Sequence, residues 1–129
     1  MGEITPSENE WLIMEVIWKE NKSITASEII EKLKGILDVS QKTIRVMIGR
    51  LVAKGVLNYT VDENDSRIYH YFPLKTKEEC LDLKSRRFVK NYFGGDASLA
   101  VASFLKSTDI TKEQLMELEE LVESLRERQ

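Results

Sequence analysis
The chain is poor in the residues that most catalysts and metal sites require. It holds one cysteine, Cys80, and one histidine, His70, among 129 residues. No internal disulfide can form, and the soft ligands of an ordinary zinc or copper site are missing. With no glycine-rich phosphate loop either, no nucleophile and base pair is available, so the sequence predicts a protein that is not an enzyme and takes no cofactor. No apolar run approaches the roughly 20 residues that span a bilayer, and Met1-Gly2-Glu3-Ile4 opens with an acid and lacks an apolar signal segment. Membrane insertion is therefore not expected, and the expected location is cytoplasmic. A surplus of positive charge is also lacking: charged residues make up 32% of the chain, yet the formal net charge is -3. Any footprint for a polyanion must be local.

What is present is a series of helix starts. Ser7 with Glu10, Thr25 with Glu28, Thr76 with Glu79 and Thr111 with Gln114 each set a capping hydroxyl three residues ahead of a side chain that can reach back, and Ser40 offers the hydroxyl alone. The first helix carries Trp11, Met14, Val16, Ile17 and Trp18, and the second carries Ile29, Ile30 and Leu33 and stops near Gly35. The third spans residues 40–54 and ends at Gly55. The period then changes from helix to strand. Residues 56–61 and 68–72 are β-branched and aromatic, separated by the polar turn Asp62-Glu63-Asn64-Asp65-Ser66-Arg67, which reads as a hairpin closed by Pro73. Three short helices and a two-stranded ribbon outline a winged helix-turn-helix. Helices are expected beyond it at residues 76–93, 97–106 and 111–128. The fold class is thus mainly α with a small β-hairpin wing, divided into residues 1–75 and a helical segment 76–129.

On a helical wheel the third helix turns Ile44, Met47, Ile48 and Leu51 to the core. Lys42, Thr43, Arg45, Val46, Gly49, Arg50 and Ala53 face outward, with Lys54 close by, and no acid occurs from residue 40 to residue 61. Arginine can grip a guanine with two hydrogen bonds, and Thr43 or Val46 can touch a thymine methyl. Lys42 and Lys54 suit phosphate, which positions without specifying sequence. Gly49 costs about 1 kcal/mol in mid-helix relative to alanine and asks for a reason such as close approach of a partner. The competing reading is a solvated charged face, or a winged-helix module that binds proteins without sequence-specific DNA binding. That module would lack the steep salt dependence of phosphate contacts. Arg67 in the hairpin turn is a further candidate for the backbone or minor groove, set among Asp62, Glu63 and Asp65, which repel phosphate.

Several of these stretches resemble one family. Glu10-Trp11-Leu12-Ile13-Met14 through Trp18 is similar to the E-W-x-x-M-x-x-x-W opening of the BlaI/MecI/CopY penicillinase-repressor family. Ser40-Gln41-Lys42-Thr43-Ile44-Arg45 with Arg50-Leu51-Val52-Ala53-Lys54-Gly55 resembles the reading helix of the same proteins. Arg67-Ile68-Tyr69-His70-Tyr71 and Tyr92-Phe93-Gly94-Gly95 followed by Ser98-Leu99 extend the likeness over almost the whole chain. The resemblance implies an N-terminal winged-helix part that binds a double-stranded DNA operator and a C-terminal helical part that makes a homodimer. In the penicillinase branch it also implies inactivation by a membrane sensor protease at an Asn-Phe bond, and here Ser103-Phe104 stands in that neighbourhood. The copper-responsive branch carries C-terminal Cys-x-Cys ligands that this chain lacks.

The C-terminal segment supports assembly on its own terms. Leu115, Leu118, Val122 and Leu125 recur at spacings of three and four with Leu121 alongside, flanked by Glu117, Glu119, Glu120, Glu123 and Glu127. The residues expected to join two chains are these five with Val89, Tyr92, Phe93, Leu99 and Phe104. The other reading is that the stripe packs only on its own chain. Two reading helices on a two-fold frame would meet half-sites about 34–36 Å apart, or a multiple of that. Cys80 reads as a small, partly buried helix residue, and His70 as a packing or hydrogen-bonding residue of the wing.

Overall fold
The computed structural model describes residues 4–129, and the reading of Met1-Gly2-Glu3 lies outside them. Each helix begins where the sequence places a cap. Helix α1 (Glu8–Lys19) and helix α2 (Ala26–Leu33) start from capping boxes in which Ser7 and Thr25 accept from the N–H of Glu10 and Glu28, whose carboxylates reach back. Helix α3 (Gln41–Ala53) starts at Ser40, which accepts from the Thr43 N–H at 3.1 Å. Such caps contribute about 1 kcal/mol each.

At its other end α3 stops abruptly. Gly55 takes φ +76, its N–H donates to Val52 O at 3.0 Å, and the Val56 N–H donates to Leu51 O at 3.1 Å. This is a Schellman turn, and a positive φ favours glycine there. Leu51 and Val56, the two apolar residues flanking the turn, are both fully buried.

The chain leaves that turn directly into strand β2 (Leu57–Val61), which pairs antiparallel with strand β3 (Tyr69–Pro73), Tyr59 opposite Tyr71. A third strand, β1 (Ile24–Thr25), was not expected. It pairs Ile24 with Tyr71 and Thr25 with His70, giving the order β1-β3-β2. Two residues are too few to show a period, and Thr25 also serves as the cap of α2.

Ile13, Met14, Ile17, Ile29, Leu33, Ile44, Ile48, Leu51 and Leu57 fill the core. Burying each contributes roughly 1.5–3 kcal/mol. Trp11 and Trp18 close its edge at 5.2 Å between ring centroids, and the Trp18 Nε1–H donates to Lys75 O at 3.0 Å.

Helix α4 (Lys77–Phe93) starts from the Thr76 and Glu79 box. Its Cys80 is fully buried in the same core, not partly buried as expected. Burial pushes its thiol pKa up. The chain divides into two compact units, one up to Ser85 and one from Arg86 to Gln129. The division falls inside α4, beyond Lys75, because Cys80 belongs with the first core.

In the second unit Asp96 caps helix α5 (Ala97–Ser107), and Thr111 caps helix α6 (Lys112–Glu127). Phe88, Phe93 and Phe104 form a triangle of rings 5.9 Å apart. Only Ala100 is buried there, and α6 buries nothing. Among the described residues no helix is long and apolar enough to cross a membrane.

Candidate nucleic-acid interface
The two sides of α3 divide as the wheel predicts. Ile44, Met47, Ile48 and Leu51 are buried, while Lys42, Thr43, Arg45, Val46, Gly49, Arg50 and Ala53 are exposed. Among the described residues Lys42, Arg45 and Arg50 have no ion-pair partner, so their charges stand in water on a face with no acid of its own. The Thr43 hydroxyl lies 2.9 Å from Ser40 Oγ. A Cβ built on Gly49 meets nothing within 4 Å. No crowding inside the chain therefore accounts for glycine at that position, and the helix gives up about 1 kcal/mol by carrying it.

Lys54 is placed differently from the other cations. Its ammonium donates to the Glu10 carboxylate and, at 3.1 Å, to Thr5 O. Glu10 is 3% exposed. A buried carboxylate left alone would be costly, so Lys54 ties the end of α3 to the start of α1.

The wing lies across an open groove of about 460 Å³ lined by Thr25, Ala26 and Ser27 at the start of α2, Arg45 of α3, and Asp65, Arg67, Ile68, Tyr69 and Tyr71. Arg45 and Arg67 thus share one concave surface. Tyr59 and Tyr69 stack at 4.3 Å with planes 8° apart, and Tyr71 leans on both. Burial pushes the Tyr71 phenol above its ordinary pKa, against the pull of the Arg45 charge.

The wing acids, expected to repel phosphate, are partly spent within the turn. Asp62 sits 2.7 Å from His70 Nε2 and accepts from the N–H groups of Asn64 and Asp65. Those contacts, the histidine first, hold its carboxyl below the usual range. Asp65 is held low by the Arg67 guanidinium, which it grips at 3.0 Å through both oxygens. Arg67 nevertheless leaves 88% of its side chain in solvent.

Among the described residues no three His, Cys, Asp or Glu side chains gather as metal ligands would. In the second unit Leu99, Phe104, Leu115, Leu118, Leu121, Val122 and Leu125 are exposed, and Tyr92 is 73% exposed, while Val89 and Phe93 are half-buried. Phe88, which the sequence reading passed over, is the ring that joins Tyr92, Phe93 and Phe104. Its place among aromatic residues four and five positions later on α4 was the available signal.

A helix with a bare cationic face, backed by a core and followed at once by a hairpin, defines a winged-helix DNA-binding protein. The penicillinase repressor family model matches residues 6–124, and the chain belongs to that family of DNA-binding transcriptional repressors, which are not enzymes. It is 31% identical over 122 residues to a penicillinase repressor of Bacillus licheniformis, covering 95% of this chain and 92% of that one. It is 29% identical over 116 residues to the methicillin resistance regulatory protein MecI of Staphylococcus aureus, covering 90% and 91% of the two chains. The solution structure of the DNA binding domain of the repressor BlaI is similar with a TM-score of 0.50 and 34% identity, over 61% of this chain and 93% of that one.

Proposed function
We propose that this repressor works in the cytoplasm as a homodimer on a two-fold symmetric operator. The first unit is the DNA-binding part and the second the dimerisation part. The observation that carries the reading is the outward face of α3, where three cations without ion-pair partners among the described residues flank a glycine with open space above it. Arg45 and Arg50 read base edges in the major groove, Thr43 and Val46 touch thymine methyls, and Lys42 and Arg67 hold phosphates. Gly49 lets the duplex come close. Lys54, expected on sequence grounds to hold a phosphate, also fixes the helix end through Glu10.

The dimer is supported by Leu115, Leu118, Leu121, Val122 and Leu125, an apolar stripe that the single chain leaves in water. Arg45→Ala and Arg50→Ala should each abolish preference for the duplex that the unmutated chain selects from random-sequence DNA, with melting temperature and dimer unchanged. Selection of the same sequence by both variants would reject α3 as the reading head.

Relief of repression is proposed to come from a membrane sensor protease acting near Ser103-Phe104, where serine stands in place of the asparagine of the Asn-Phe bond that the resemblance implies. The Ser103-Phe104 bond lies inside α5, and Ser103 O accepts from the Ser107 hydroxyl at 2.8 Å, so α5 must open locally before it is cut. A chain that stays full length on immunoblots while its target transcript rises would reject this route.

A further inference from the structure
We propose that Asp62 is a positioning residue for Arg67, acting through the turn it caps and through Asp65 to aim the guanidinium at a DNA phosphate. The proposal rests on the reading that Arg67 touches DNA.

The geometry runs in a chain from sheet to tip. Asp62 Oδ1 is held 2.7 Å from His70 Nε2 on β3, which ties the carboxylate to the sheet. Its other oxygen accepts from Asn64 N–H at 3.0 Å and Asp65 N–H at 3.1 Å, closing an Asx-type turn. Asp62 N–H donates to Ile68 O and Ile68 N–H to Asp65 O, so the base of the turn is closed as well. Asp65, held by that turn, then accepts three bonds from Arg67: backbone N–H at 2.9 Å, Nε at 3.0 Å and Nη2 at 3.0 Å.

The two side-chain bonds occupy the inner edge of the guanidinium. Nη1 and the remaining hydrogen of Nη2 form the outer edge, a fork suited to two phosphate oxygens. An ion pair this exposed adds little to stability. What two bonds on one exposed side chain, with a third on its own backbone N–H, do supply is orientation before binding. Ordering a free side chain of this length on association lowers affinity roughly 2- to 12-fold.

Charge counting gives the opposite sign. Removing an acid beside a phosphate backbone should tighten binding. If Asp62 aims Arg67, removing it weakens binding instead.

The test uses the full chain and a duplex it selects from random-sequence DNA, with affinity measured across a salt series. Arg67→Ala should weaken binding about tenfold and lower the salt slope by about one. Asp62→Ala should weaken it several-fold with the same fall in slope, and should have no weakening effect when Arg67 is already alanine. Asp62→Asn keeps an oxygen for the two N–H groups and donates to His70 Nε2 once the imidazole carries its proton on Nδ1, so it should stay within about twofold of the unmutated chain or bind tighter. Asp65→Ala frees the guanidinium with the Asx turn intact and should match the loss at Asp62, which keeps the test decisive should Asp62→Ala melt early.

Tighter binding by Asp62→Ala with Arg67 present would overturn the proposal in favour of simple charge. Equal weakening by Asp62→Ala with and without Arg67 would overturn it in favour of a structural role. No effect of Arg67→Ala would reject the wing contact itself, a different failure visible in that single variant.

Discussion

Up to Ser85 the chain buries a core of large aliphatic side chains, and from Arg86 onward it buries none. Ile13, Met14, Ile17, Leu51 and Leu57 are within 1% of full burial, whereas Leu121 and Val122 keep about half of their surface in water. The residue types are the same. What differs is whether the chain itself supplies the other side of the contact. At about 25 cal/mol per Å² of apolar surface, the first unit draws its stabilisation from within, and the second leaves the same kind of stabilisation unclaimed until another surface arrives. The apolar surface left open in the second unit is what the proposed dimer would cover.

Helix α6 carries the largest expected effect. Replacing Leu118 and Leu121 together with glutamate should leave the first unit's thermal unfolding intact, convert the sedimenting species to a monomer, and cut operator affinity by about 10²–10⁴, the gain that linkage of two heads provides. A double variant that still sediments as a dimer would show that the exposed stripe is not the contact. Core truncation is the converse. Leu51→Ala should cost about 2–5 kcal/mol in urea unfolding of the first unit, while Leu125→Ala, measured at concentrations too low for association, should leave the unfolding midpoint where it was.

A smaller effect separates stability from function within one residue. Gly49→Ala should raise stability by up to about 1 kcal/mol in chemical denaturation, since the added methyl meets nothing. The same variant should bind the selected duplex more weakly. Unchanged affinity would mean that the duplex does not approach the helix there.

The smallest effect is acid sensitivity. The carboxyls held below their usual pKa by hydrogen bonds and neighbouring cations, Glu15, Glu28, Asp62 and Asp65, all lie in the first unit. A depressed folded pKa means a contribution present above the unfolded value and lost as pH falls through the folded one. The first unit's melting temperature should thus be flat from pH 8 to pH 5 and decline only below about pH 4, the ordinary carboxyl range. A decline beginning near pH 6 would point to a different titrating group.

The helices and the wing were legible because caps and periods are local signals. Ser7, Thr25, Thr76 and Thr111 announce helix starts within four residues of themselves, and the change to β-branched and aromatic residues after Gly55 announces the hairpin. The outward face of α3 was legible for the same reason, since four apolar positions at helical spacing settle which side is left. What escaped notice depended on distance or shortness. The cation at Lys54 was visible, but its partner Glu10 lies 44 positions away, and no local pattern links them. Strand β1 is two residues long and doubles as a helix cap. The grip of Asp65 on Arg67 spans only two positions, yet an acid beside an arginine in a turn reads equally well as repulsion of phosphate or as support for the arginine.

The Schellman turn at Gly55 has a consequence for how such a repressor could acquire a new target. Helix α3 and the wing are joined by a single bend whose neighbours Leu51 and Val56 are both sealed in the core, so an insertion at that joint would have to unseat one of them. Under the proposed contacts, a new operator would be reached by exchanging outward side chains, with the spacing between α3 and the wing unchanged.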